Sequence, residues 1–101
     1  MLPESRNSFF WNERIKLDRK KHGLRLRARI ISAIREFFAH QDYLEVETPL
    51  LIPAPAPEVH IDAISSEGLF LHTSPELCMK RLLAAGFPKI FQITKCFRKG
   101  E

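Results

Sequence analysis

One stretch constrains the fold of this chain more than any other: residues 24–49, an amphipathic helix that runs into a short strand ending on proline. Leu26, Ile30, Ile31, Ile34, Phe37 and Phe38 recur at the three-and-four spacing of one helix face. Arg25, Arg29 and Arg35 fall mostly on the polar side. About 17 residues at a rise of ~1.5 Å make a rod of roughly 25 Å. Paired Ile and paired Phe make its apolar stripe wide. Such a stripe serves a core alone, or a core on one flank and a partner subunit on the other. Tyr43-Leu44-Glu45-Val46-Glu47 then alternates as a strand does, and Pro49 closes it because proline has no N–H for a ladder.

The remaining segments are placed around this unit. Residues 1–23 form a basic N-terminal arm in which Arg14, Lys16, Arg19, Lys20, Lys21 and His22 are relieved only by Glu13 and Asp18. The favoured reading is a solvated or docking arm, a frayed or helical lead-in whose Phe9-Phe10-Trp11 could pack on the body. The sharper reading is an arm that tracks phosphates and stacks bases. Gly23 is expected to break this arm from the main helix, leaving 24–101 as the second division. Four prolines within residues 49–57 predict a stiff connector without regular structure. Val59, Ile61, Ala63 and Ile64 predict a strand, Ser66-Glu67-Gly68 a turn, and Leu69-Phe70-Leu71-His72 the returning strand of a hairpin.

Thr73-Ser74-Pro75-Glu76 carries helix-start chemistry, with Ser74 as N-cap and Pro75 in the first turn, or Thr73 and Glu76 as a capping box. Leu77, Met79, Leu82, Leu83 and Ala85 supply the apolar content of that helix, and Gly86 and Pro88 stop it. Residues 90–98 predict a final strand, with Ile93 and Phe97 on one side and Gln92, Thr94 and Cys96 on the other. The elements add up to an α+β fold.

Composition narrows the chemistry. A net charge of +4 and a pI near 9.4 favour an anionic partner or simply keep the protein dissolved. Two cysteines, Cys78 and Cys96, match neither a disulfide framework nor a metal signature, which points to reduced, cytoplasmic thiols. No membrane is expected, since no run approaches the ~18 apolar residues of a span. His22, His40, His60 and His72 show no ligand spacing, so no metal site is expected. Phosphate loops and the common hydrolase motifs are absent. Two residues remain. Glu76, at a helix start, either complements the dipole or grips an ammonium group. Arg98 is either a surface residue or a two-pronged phosphate ligand.

At this point the chain resembles a known family. Arg27 to Phe38 followed by Tyr43-Leu44-Glu45-Val46-Glu47-Thr48-Pro49 resembles motif 1 of the class II aminoacyl-tRNA synthetases, in their lysyl-tRNA synthetase branch. Leu71-His72-Thr73-Ser74-Pro75-Glu76, then Met79 to Gly86, is similar to the paralogues of that branch that ligate lysine to elongation factor P. Ser-Pro-Glu is the discriminating tripeptide, where lysyl-tRNA synthetases typically have Ala-Pro-Glu. Ile90-Phe91-Gln92-Ile93 to Cys96-Phe97-Arg98 resembles the opening strand of motif 2.

The resemblance implies a fragment of the class II catalytic fold, with a long motif 1 helix, antiparallel strands and a second helix. It implies ATP-dependent activation of lysine or β-lysine as an aminoacyl-adenylate, and transfer to elongation factor P or tRNA. Ser74, Pro75 and Glu76 would bind the amino acid, with Glu76 on its ammonium group. Arg98 would act on the ATP α-phosphate, and the ATP site would extend to Lys99 and Glu101. The cofactors implied are ATP and Mg2+, the metal ligands lying outside these 101 residues. Motif 1 would form a homodimer. The chain departs from the family's Arg-Asn-Glu at Arg98-Lys99-Gly100-Glu101, which puts no acid at position 100. The resemblance therefore implies an N-terminal piece of a longer ligase, inactive alone. The alternative is a non-catalytic dimerisation or RNA-binding module.

Overall fold

The computed structural model describes residues 4–55 and 62–101, with side chains from Phe9 onward. The elements in chain order are α1 (Glu4–Ala39), β1 (Leu44–Glu45), β2 (Leu51–Ile52), β3 (Ser65–Ser66), β4 (Leu69–Leu71), α2 (Glu76–Ala84) and β5 (Ile90–Phe91). The chain divides into two units, Met1–Phe37 and Phe38–Glu101.

The first unit is helical. Gly23 does not interrupt it: α1 is continuous over 36 residues, about 54 Å at ~1.5 Å per residue. Glycine costs only about 1 kcal/mol relative to alanine inside a helix. The flanking Lys, Leu and Arg residues are good helix formers, so the segment absorbs that cost. The Lys21 ammonium lies 2.8 Å from the Asp18 carboxylate and the Lys16 ammonium 3.7 Å from Glu13, both one turn apart. Phe9, Phe10 and Trp11 are exposed. Leu26, Ile30, Ile34 and Phe37 are exposed as well, so the wide stripe is largely uncovered.

α1 ends in the second unit. The Tyr43 N–H donates to the Phe38 carbonyl and the Asp42 N–H to that of Ala39, with Asp42 at φ 63°. This is a Schellman close in which aspartate, one of the few residues tolerant of the left-handed region, stands where glycine is usual. The same device ends α2: the Phe87 N–H reaches the Leu82 carbonyl, the Gly86 N–H that of Leu83, and Gly86 has φ 105°.

Two small sheets complete the unit. β4 is the middle strand of an antiparallel trio in the order β2-β4-β3. The β3–β4 turn is Glu67-Gly68, both at positive φ, as a two-residue hairpin loop of the primed type requires. Ala63 and Ile64 precede β3 rather than forming it, and Val59 and Ile61 lie outside the described residues. The proline-rich connector is less irregular than expected. Leu51 and Ile52 sit between Pro49 and Pro53 and retain the N–H groups that let them pair with Leu71 and Phe70.

The second sheet corrects the all-antiparallel expectation. β1 pairs with β5 in parallel, with Leu44 opposite Ile90 and Glu45 opposite Phe91. Its crossover contains the trio and α2. The predicted strand over 90–98 shrinks to Ile90–Phe91, and further along the Phe97 N–H bonds to His72 and the Lys99 N–H to Asp62 rather than to β1. The Phe91 ring stacks on Phe38 at 4.6 Å and 14°, and Tyr43 meets Phe38 edge-on at 5.2 Å. Among the described residues the buried apolar ones are Ile52, Ile90 and Phe91. They are joined by three buried polar ones, Thr48, His72 and Thr73.

Two outcomes follow for α1 and its exit. A Cβ at Gly23 would meet nothing within 4 Å. Gly23→Ala should therefore stabilise the helix by about 0.5–1 kcal/mol, read as greater ellipticity at 222 nm and a higher melting midpoint. Lys21, by hydrogen bond and charge, holds the Asp18 carboxyl below its usual 3.8. The pair's contribution is present above that value and is lost as pH falls through the lowered one. An acid titration of helicity should show this step, and Asp18→Asn should remove it.

Candidate functional site

The second unit is organised around His72, whose side chain is 1% exposed. Strand β4 ends one residue earlier, so His72 still pairs outward: its N–H donates to the Leu50 carbonyl at 2.8 Å. Its carbonyl accepts from the Phe97 N–H at 3.1 Å. Its ring Nε2 lies 2.6 Å from the Lys95 carbonyl, which accepts only, so Nε2 carries the proton. One residue thus ties the run leading into Ser74-Pro75-Glu76 to the run leading into Arg98. His72 Nδ1 and the neighbouring Thr73 Oγ1, itself 2% exposed, are buried without a hydrogen-bond partner.

Downstream of this anchor the helix start forms one residue later than predicted. α2 opens at Glu76 with Pro75 at the cap, and the Met79 N–H donates to the Pro75 carbonyl at 2.9 Å. Ser74 is therefore not the N-cap: it stands one residue before it, with its Oγ accepting from the Glu76 N–H at 3.4 Å, and α2 has no side-chain cap. The alternative capping box does not form, since the Thr73 hydroxyl is unpartnered. Glu76 is exposed and holds the Lys80 ammonium at 2.8 Å, one turn along the helix. An ammonium therefore already occupies the carboxylate that the sequence marks for an ammonium.

Arg98 presents a parallel case. Its Nη1 lies 3.7 Å from the Glu101 carboxylate, in a cleft of ≈ 380 Å³ lined also by Ile64, Cys96 and Phe97. Gly100 at φ 83° turns the chain so that Glu101 comes back towards Arg98. The Lys99 N–H donates to the Asp62 carbonyl at 2.8 Å, and its side chain is exposed. The structure thus brings Arg98 and Glu101 together. Ser74, Pro75 and Glu76 lie outside that cleft's lining, connected to it through His72.

A larger cleft, of ≈ 540 Å³, was not indicated by any motif. Glu47, Thr48, Pro49 and Leu50 form one wall and Ile93, Thr94 and Lys95 the other. The Thr48 hydroxyl donates to Gln92 Oε1 at 3.1 Å beside it, while Gln92 Nε2 is buried and unpartnered. Glu47, Thr48 and Pro49 also line a smaller cleft with Cys78, Arg81 and Leu82. A signal was present in the alternation that exposes Glu47 and buries Thr48. Its partner strand could not be read from the sequence. Among the described residues, no group of three His, Cys, Asp or Glu side chains is placed to hold a metal ion. No described helix is long and apolar enough to cross a membrane.

His72→Leu would remove the donor from the Lys95 carbonyl in a partly buried bond. A loss of about 1–3 kcal/mol is expected in urea titration. His72→Gln, which can present an N–H of its own, should recover part of that loss.

Known proteins give this geometry a family. The tRNA synthetases class II (D, K and N) match over residues 10–101. The elongation factor P–(R)-β-lysine ligase of Vibrio campbellii is 44% identical over 88 residues, 77% of this chain and 27% of that protein. The ligase of the same name from Haemophilus influenzae is 47% identical over 85 residues, 74% of this chain and 26% of that protein. The lysine–tRNA ligase of Pseudomonas putida is 44% identical over 84 residues, 77% of this chain and 17% of that protein. The chain thus spans about a quarter or less of the length of these relatives. The α+β architecture of helices and small sheets agrees with a part of such a domain, and the chain belongs to the class II tRNA synthetase family of the D, K and N type.

Proposed function

We propose that this chain is the amino-acid-recognition edge of an ATP-dependent lysine ligase, with elongation factor P as the favoured acceptor and tRNA as the alternative. The observation that carries the reading is the junction at His72. It fastens a segment ending in a carboxylate suited to an ammonium beside a segment ending in a guanidinium suited to a phosphate. Both charges sit in exposed pairs, Glu76 with Lys80 and Arg98 with Glu101. Such pairs contribute only about 0–1 kcal/mol, so a substrate exchanges for them at little cost.

In this scheme Glu76 trades the Lys80 ammonium for that of lysine or β-lysine, with Ser74 and Pro75 shaping the same edge. The substrate carboxylate attacks the α-phosphorus of ATP, and the bond to the pyrophosphate leaving group breaks. Arg98 turns from Glu101 to the α-phosphate and stabilises the charge that develops there, while Lys99 offers a second cation to the phosphates. The acyl group of the adenylate then passes to the acceptor, a protein amine for elongation factor P or a hydroxyl for tRNA, releasing AMP. Ser74 in the tripeptide favours the protein acceptor. The segments 27–38 and 43–49 are the motif 1 unit and 90–98 the start of motif 2. The exposed Leu26, Ile30, Ile34 and Phe37 are then the surface covered by a second copy.

The test is ATP–pyrophosphate exchange by the whole protein that carries this chain, with lysine and β-lysine supplied separately. Amino-acid-dependent exchange is expected, together with none from the 101 residues alone. Glu76→Gln should lower kcat/KM by about 10- to 100-fold, the equivalent of a hydrogen bond to a charged group. Arg98→Ala should lower kcat by about 10²–10³. Exchange by the isolated chain, or an Arg98→Ala protein of normal rate, would refute the assignment. Acceptor assays with elongation factor P and with tRNA decide between the two ligations.

A further inference from the structure

The ligase chemistry proposed above makes no use of the basic stretch of α1 from residue 14 to residue 29, which carries the densest charge on the molecule. From residue 14 to residue 29 it bears Arg14, Lys16, Arg19, Lys20, Lys21, Arg25, Arg27 and Arg29 against Asp18 alone. Because α1 is continuous, these charges have fixed bearings on one rod. At about 100° per residue, Arg19, Gly23, Arg27, Ile30, Ile34 and Phe37 fall within one sector of roughly 80°, and Lys16 and Lys20 lie on or beside it. The face that is apolar from Ile30 onward is therefore cationic from Lys16 to Arg27.

Gly23 gives that cationic face a relief. Nothing lies within 4 Å of where its Cβ would be, and Arg19, Lys20, Leu24 and Arg27 surround it as a shallow notch of ≈ 380 Å³. Among the described residues neither Arg19, Lys20 nor Arg27 has a carboxylate within ion-pair distance, whereas Lys16 and Lys21 do. Three unneutralised cations around a gap in the side-chain surface suit a chain of phosphates better than a single anion. Phe9, exposed, falls on the same bearing about two turns before Lys16, where it offers a flat ring to an unpaired base.

We propose that this face of α1 binds single-stranded RNA, with Arg19, Lys20 and Arg27 on consecutive phosphates at the Gly23 notch and Phe9 stacked on a base. The occupant follows from charge complementarity and from the ring. An acidic protein surface would satisfy the cations but leave Phe9 without a role. This binding is independent of the ligase chemistry, since none of the residues belongs to the segments at His72; Arg27 stands at the edge of the motif 1 unit.

Anisotropy of a fluorescein-labelled 12-nucleotide uridine oligomer, titrated with the 101-residue chain from 50 to 200 mM salt, tests it. Replacing Arg19, Lys20 and Arg27 together by Gln should weaken binding about tenfold or more. It should also make the plot of log affinity against log salt shallower by about 2, at ~0.7 per phosphate contact on a single strand. Arg14, Arg25 and Arg29 lie on the opposite side of the rod. Their joint replacement by Gln removes the same charge and should weaken binding about threefold or less. Ellipticity at 222 nm confirms that both variants keep the helix. The native chain should prefer the uridine oligomer to an abasic 12-mer of equal charge, and Phe9→Ala should abolish that preference. Equal losses in the two triple variants would reduce the effect to bulk charge and overturn the proposal. So would an abasic strand bound as tightly as uridine, or displacement of the RNA by polyglutamate at equal charge concentration, which would assign the face to an acidic protein.

Discussion

The second unit depends on an imidazole rather than on an apolar side chain. His72 is among its most deeply buried residues, and it draws together two backbone segments that are far apart in sequence, one at Leu50 and the other at Lys95 and Phe97. With Ile52, Ile90 and Phe91 as the buried apolar residues, hydrophobic burial alone is a thin foundation. Each such side chain contributes only about 1.5–3 kcal/mol. Hydrogen bonds differ from apolar contacts in having direction. A segment fastened through a histidine ring and two peptide groups has its position and its facing specified together, which is what a site built from two separate runs requires. The arrangement has a cost: the bare Nδ1 and the Thr73 hydroxyl are buried polar atoms without partners.

Around that anchor the reactive charges are held loosely. Glu76 and Arg98 are exposed, each in an ion pair with a residue three or four positions away on its own segment. Local pairing of this kind keeps a carboxylate and a guanidinium apart and hydrated without committing either. Rigid backbone and exchangeable side-chain charge are complementary properties, and here they occur within a few residues of each other. The apolar stripe of α1 shows the same division between a firm scaffold and a surface left available.

Local chemistry was well represented in the sequence. The three-and-four spacing from Leu26 to Phe38 marked the helix, Glu67-Gly68 marked the hairpin turn, and Ser-Pro-Glu marked the start of α2. Gly86 marked its end. Each is decided by a few neighbouring residues and by backbone preferences that act at short range. The misses have a common origin in pairing at long range. Nothing local shows that Leu44 lies beside Ile90, that Leu51 finds Leu71 between two prolines, or that the ladder at Ile90 stops after two residues. Gly23 differs for the opposite reason: the good helix formers around it outweigh a single weak one. At the candidate site, the residue types at Glu76 and Arg98 were legible. The histidine that joins their segments was not, because its burial depends on strands contributed by distant parts of the chain.

The parallel pairing of β1 with β5 also sets an order on assembly. Leu44 and Ile90 are 46 positions apart, whereas Ser66 and Leu69 across the hairpin are three apart. On the logarithmic scale of loop closure, the long link costs about 2 kcal/mol more in chain entropy than the short one. The hairpin can therefore form on its own, while the β1–β5 ladder waits until the trio and α2 have already shortened the path between its strands. The Arg98 segment extends directly from β5. Its placement is accordingly a late event of folding, and the two halves of the candidate site meet only when the topology closes.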